Sequence, residues 1–452
     1  MKYCPQVFRT FLLSVALKVA VFEMFFLLSG NILASENDVC ITFTDSDFFS
    51  INMIAIDEIG IQQGSSPVIR VDAYNRVHLL TYSSADNTLY YLNDSSGKLQ
   101  LVTTIQPQQG DFLRTTMEID DTGHPYIVFS VTEETSTGMV PDSNNYHTEF
   151  FYTEIVDGQM LPPVSVATVE QKIYMILLRI DHQGIIHIAF TSATESMEQA
   201  LSSNFYYTHN RSGGFSQPVP IASNLRELMN PCLEIGHDDF DYAFGIVHSW
   251  ETGGFSIKRW SIDTEGNATE ETVYSNAGQE EVVTQIMNLN VALSSDNVFH
   301  LIFQETDLYY TNDSSGVFSE PEKIADLRED MVWGGNIVLL TAGSKAIHAV
   351  FNEPETDSCW NHYYWHQSDN HDPALLAARV EGISSSNFCL KINDEGYLHW
   401  IFGCYNGESS DNGWRIFHAE SKEPVDEPIE PDSPSTPSSS DSGCFIGTTL
   451  SN

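Results

Sequence analysis

Positive charge is scarce in this chain. Its 452 residues include 20 Lys and Arg against 62 Asp and Glu, a formal net charge of −42. Such a surface repels phosphate backbones and anionic headgroups, so nucleic acid and acidic membrane surfaces are excluded as partners. Short catalytic motifs are missing too: there is no nucleophile elbow, phosphate loop or HExxH. Calcium is the one cofactor the acidic balance suits. However, the acidic groups Asp45/Asp47 and Asp238/Asp239/Asp241 lack the Gly and Glu of an EF-hand loop, so no cofactor is assigned to particular residues.

Long apolar runs are confined to the start. Lys2 and Arg9 precede apolar runs at 11–17 and 19–29, and Ala34 offers a small residue for cleavage. Residues 1–34 therefore read as a signal peptide, with an uncleaved anchor as the alternative because the run approaches spanning length. Of seven cysteines, Cys4 leaves with the leader. The remaining six (Cys40, Cys232, Cys359, Cys389, Cys404 and Cys444) would meet an oxidising compartment. Cys389 and Cys404 flank one predicted hairpin and are the favoured disulfide; Cys359 with Cys404 is the rival. The chain is expected to be secreted or attached to the cell surface, and monomeric.

What is present is a repeat. Residues 177–223 hold four short strands: Leu177–Ile180, a strand with His187 and Phe190, the aromatic Phe205-Tyr206-Tyr207, and a stretch from Phe215 to Ile221. That is one propeller blade in size. Aligned on the second strand, the unit recurs with anchors His78, Tyr126, His187, Tyr242, His300, His348 and His399, spaced 48, 61, 55, 58, 48 and 51 residues apart. Turns precede the anchors: Asp72–Asn75, Asp120–Gly123, Asp181–Gly184 and Asn393–Gly396, where Asp or Asn accepts backbone hydrogen bonds and Gly or Asn takes a positive φ. The turns of the fourth, fifth and sixth units are less regular. The segment Asn93-Asp94-Ser95-Ser96-Gly97 returns unchanged at 312–316, which points to duplication.

The fold class is therefore all-β: a seven-bladed β-propeller of four-stranded blades spanning 35–420. The last unit has three strands, and the lone stretch 48–56 before the first unit is expected to supply its fourth, closing the ring. After 420 the chain turns acidic and rich in Pro and Ser, so 421–452 reads as a disordered tail.

Seven anchors spread round a ring cannot converge on one metal ion, and Tyr replaces His twice. The expected role is a polar residue inside each sheet that hydrogen-bonds a neighbouring blade. No metal site is assigned. The densest ligand cluster, 357–372, carries His362 and His366 about 13 Å apart along a strand, too far for one zinc. Eight residues before each anchor stand Arg70, Glu118, Arg179, Glu234, Ala292, Leu340 and Lys391. On innermost strands these would surround the central channel. Two readings follow: ion pairing between blades, or a patch of Arg70, Arg179 and Lys391 binding an acid or sugar.

Two resemblances add expectations. The D-x-x-G-x-x-H turns resemble those of sialidase-like, BNR-type propellers of exported bacterial proteins. That likeness implies a glycan ligand and, in its catalytic form, an arginine triad in which Arg70 and Arg179 would hold two places and Arg114 a third. No Asp-box is intact in this chain. Gly443-Cys444-Phe445-Ile446 resembles the start of the CFI-box C-terminal segment of secreted bacterial proteins, which implies export and attachment through Cys444; Gly447 and Thr449 depart from that pattern. The favoured function is an exported, non-catalytic propeller recognising a glycan or protein ligand. A sialidase-like glycoside hydrolase or lyase using Glu118 and Glu234 as acid and base is the alternative, and a structural surface role the third.

Overall fold

The computed structural model describes residues from Phe49 to Val425, leaving out 55–66, 135–145, 249–253, 277–287, 328–336, 368–373, 382–387, 407–412 and some shorter breaks. The expected leader at 1–34 and nearly all of the tail at 421–452 lie outside the described residues, as does Cys444.

Every regular element described is a β-strand, and the strands form seven small antiparallel sheets in a propeller-like arrangement. Each opens with a short inner strand: Val68–Val71, Asp111–Ile119, Lys172–Ile180, Leu228–Ile235, Asn288–Leu293, Ile337–Ala342 and Phe388–Ile392. The inner strand of each sheet touches that of the next, and Phe388–Ile392 touches Val68–Val71. In five sheets the strands lie side by side in chain order, and the second departs from it at one short strand. In the last, Phe388–Ile392, Leu398–Asn406 and Gly413–Ser421 are followed by Phe49–Ile54. That strand runs antiparallel to Gly413–Ser421, with Phe49 opposite Ser421 and Ile54 opposite Ile416.

The core lies between sheets rather than within any one of them. Val68, Leu80 and Tyr91 of the first sheet pack on Met117, Ile127 and Phe129 of the second. Val128 and Phe150 on the second sheet's other face meet Ile176, Ile188 and Phe190 of the third. Ile69 and Leu79 of the first face Ile401 and Ile416 of the last. This is the period-two rule at work: alternate residues of one strand serve opposite faces, and each face finds a neighbouring sheet. Inner strands are therefore buried on both sides, as Asn288–Leu293 is along its whole length.

Turn chemistry follows the expected rule. Asn75, Gly123, Gly184 and Gly396 all have positive φ, and each N–H returns to the carbonyl of the Asp or Asn three residues back, at 2.9–3.1 Å. The fifth unit, less regular in sequence, makes the same turn with Ser294 and Asn297 (φ 67°).

Two expectations need correction. The second sheet carries a fifth strand, Gln159–Met160, because a tight Asp157–Gly158 turn folds the chain back on Tyr146–Val156. The third sheet's outer strand is Val219–Arg226, not 215–221; Phe215 instead packs edge-on against Tyr152 of the preceding sheet. Cys232 is a free, buried thiol. Cys389 is buried and disulfide-bonded; its partner, and the side chains of Cys359 and Cys404, lie outside the described residues.

Candidate functional site

The register explains why counting back eight residues from each anchor works. Arg70 pairs with His78, Glu118 with Tyr126, Arg179 with His187, Glu234 with Tyr242, Ala292 with His300, Leu340 with His348 and Lys391 with His399. One position on every inner strand thus stands directly across from the anchor.

The four charged residues of the first four sheets meet in a chain of ion pairs. Arg70 donates to Glu118 Oε2 and Oε1 at 3.3 and 3.2 Å. Arg179 donates through one guanidinium nitrogen to Glu118 Oε1 at 2.6 Å and through the other to Glu234 Oε1 at 3.0 Å. Both arginines also bond the carbonyl of the preceding residue on their own strand, Ile69 O and Leu178 O. Arg70, Glu118 and Glu234 are buried. Burial disfavours the charge on Arg179, but Glu234 and Glu118 outweigh it and raise its pKa. Lys391 of the last sheet reaches the carbonyl of Val71, 3.5 Å away on the first.

This geometry bears on each charged candidate. Arg70 and Arg179 point their donors at carboxylates of adjacent sheets. Glu118 and Glu234 are bridged by Arg179, whose guanidinium occupies the space between them. A water or sugar oxygen would need that space in any acid–base reaction between the two carboxylates. Arg114 lies elsewhere, donating to the carbonyl of Tyr174 at 2.6 Å.

The anchors work mainly within their own sheets, which corrects the expected bond to a neighbouring blade. His78 joins Tyr91 Oη through Nδ1 (2.6 Å) and Asp72 Oδ2 through Nε2 (3.2 Å). His187 joins Tyr207 and Asp181 in the same way, and it also reaches a neighbouring sheet, at Asp241. Where Tyr replaces His, its hydroxyl donates to a turn aspartate: Tyr126 to Asp120 and Tyr242 to Asp238. Burial resists ionisation of Asp72, but bonds from His78 and Arg76 outweigh it and hold its pKa at about 2. His300 and His348 keep only the tyrosine bond, to Tyr310 and Tyr364. Six residues before these two stand Ser294 and Ala342 instead of a carboxylate, and each Nε2 is buried with no hydrogen-bond partner among the described residues. Burial lowers their pKa values to about 4 and about 3.

His362 and His366 do not act together. His362 packs against the rings of Trp400 and Phe402, while His366 stacks on His348. Among the described residues no group of three or more His, Cys, Asp or Glu is arranged to hold a metal ion.

A second feature was not singled out from sequence. A cleft of about 640 Å³ opens beside the second sheet, against Ile105, Gln106 and Pro107 of the first. Its wall is built from three cross-strand pairs, Phe129–Phe151, Val131–Glu149 and Glu133–His147. The phenyl rings stack at 5.4 Å. His147 sits between Glu170 (2.9 Å) and Glu149 (3.6 Å); the hydrogen bond to Glu170 leads in raising its pKa. The sequence marks Phe150-Phe151-Tyr152 only as the aromatic third strand of its unit.

Comparisons with known proteins agree with the fold. No protein-family model and no curated protein sequence matches the chain. Solved structures do match. A polysaccharide lyase described as an ulvan lyase aligns with a TM-score of 0.51 at 12% identity, covering 81% of this chain and 92% of that one. A second polysaccharide lyase gives 0.49 at 12% identity, over 84% and 98%. A protein of unknown function from Dyadobacter fermentans gives 0.48 at 11% identity, over 69% and 94%. At 12% identity the likeness to the ulvan lyase shows a fold and nothing of activity: the chain is an all-β protein of propeller type.

Proposed function

We propose that this chain is an exported propeller that binds a glycan at the cell surface without cleaving it. In this reading it has seven blades, and the strand Phe49–Ile54 closes the ring by completing the last one. The observation that carries the non-catalytic reading is the buried chain Arg70–Glu118–Arg179–Glu234. Its charges neutralise one another across four sheets, and catalysis would need one carboxylate released from its arginine. Glycan is the ligand class because the cleft beside the second sheet combines stacked rings with carboxylates at a size suited to ligand binding. The ulvan lyase of similar fold also acts on a glycan.

Export rests on the apolar leader at 1–34, and attachment on the Pro/Ser-rich tail with Cys444. A sialidase-like relationship, a monomeric state and a Cys389–Cys404 bridge belong to the same reading. Arg70, Arg179 and Lys391 then hold neighbouring sheets together rather than a ligand.

The test is Glu118→Gln in the full chain. Cutting a buried ion pair strands its partners, which costs about 3–5 kcal/mol. The variant should melt earlier while retaining glycan binding. If instead the wild type cleaves a polysaccharide and E118Q loses that turnover, the hydrolase or lyase reading replaces this one.

A further inference from the structure

The cleft beside the second sheet has a chemical character that narrows the ligand, given the glycan-binding reading above. Its three cross-strand pairs grade from apolar to charged: Phe129–Phe151 at the base, then Val131–Glu149, then Glu133–His147. Met160 and Pro163 continue the apolar side. Among the described residues no lysine or arginine lines it. Glu170 adds a third carboxylate against His147. The three carboxylates leave the charged end net negative whether or not His147 is protonated.

We propose that this cleft binds a cationic saccharide, an oligomer of amino sugars with free ammonium groups. The apolar face of a pyranose ring rests on the part-exposed Phe151, which Phe129 backs from the core, and its ammonium is held by Glu149 and Glu133. Charge complementarity carries the choice. A uronate or sulfated sugar would bring its anion against Glu133 and Glu149, with no Lys or Arg among the described lining residues to receive it. A neutral sugar would use the rings but bring the charged end no cation beyond His147. The volume of about 640 Å³ falls within the range of small-ligand sites. The site also lies on a different part of the molecule from the ion-pair chain of the inner strands, so the two can be probed separately.

The experiment is calorimetric titration of the full chain with a glucosamine tetramer, its N-acetylated counterpart and a galacturonate tetramer. Tetralysine serves as a probe of unspecific attraction to the acidic surface. Two double variants are compared: Glu133→Gln with Glu149→Gln in the cleft, and Glu320→Gln with Glu322→Gln, which removes the same charge from an exposed edge. The glucosamine tetramer should bind at least tenfold more tightly than the other two saccharides. The cleft variant should lose at least tenfold of that affinity, and the edge variant less than twofold. Equal loss in both variants, or tetralysine binding as tightly as the glucosamine tetramer, would overturn the proposal by reducing the effect to net charge. Tight galacturonate binding that survives the cleft variant would also overturn it, while leaving the glycan reading intact. No binding of any saccharide would sink both.

Discussion

At the scale of single residues, the anchor position shows how one change in a turn sets the chemistry of a buried histidine. His187 sits between Asp181 and Asp241. Burial works against its charge, but the two carboxylates prevail and raise its pKa. His300 occupies the same register but has Ser294 in place of the turn aspartate, and burial alone lowers its pKa to about 4. His348, His362 and His399 are lowered likewise, to about 3, 3 and 4, chiefly by burial. Such groups are neutral when folded and titrate near 6.5 when unfolded, so the unfolded state binds more protons between those values. The stability they permit is complete above pH 6.5 and falls as the pH drops towards 4 and 3. Each contributes at most about 1.4 kcal/mol per pH unit in that window. Ser294→Asp should raise the pKa of His300 by a unit or more, read from imidazole proton shifts by NMR, and should flatten the acid side of the melting profile. An unchanged His300 titration would mean the aspartate does not reach Nε2.

At the scale of elements, much of the fold was legible and some of the site was not. The seven anchors, the inner-strand positions opposite them and the positive-φ residue closing four of the turns were readable because hairpin register repeats rigidly. The unit at 93–97 repeats at 312–316 for a similar reason. Asp94 accepts the N–H of Val77 and Asp313 that of Phe299, each tying the end of a third strand to the start of the second. Sequence could place Arg70, Glu118, Arg179 and Glu234 on one ring, but ion pairing and ligand binding predict the same residue types there. Only the side-chain geometry separates them. The cleft was missed because Glu133 and His147 lie on different strands, and nothing in the sequence says that they pair. The strand Phe49–Ile54 yields a prediction at this scale. A chain beginning at residue 57 would leave the edge of Gly413–Ser421 unpaired, an invitation to association. Its melting temperature should drop by at least several degrees, and light scattering should show oligomers. An unaltered, monomeric truncation would mean that this strand does not close the ring.

For the whole molecule, the dominant quantity is the net charge of −42. Like charges at that density destabilise the compact state, and salt screens exposed charges over about 10 Å at 0.1 M. The buried chain through Arg179 is far less open to screening. Raising sodium chloride from about 0.02 to about 0.5 M should therefore raise the melting temperature measured by calorimetry. A fall would mean that exposed ion pairs, such as Lys323 with Asp307, outweigh the general repulsion.

The central claim is that a rigid ring presents a glycan-binding surface while its inner carboxylates stay locked to arginines. The most direct test is a glycan microarray probed with the full chain, with the same glycans incubated in solution and assayed for new reducing ends and unsaturated sugars. The account predicts reproducible binding to a defined set of saccharides and no new ends or unsaturated products. Cleavage of a bound glycan would contradict it.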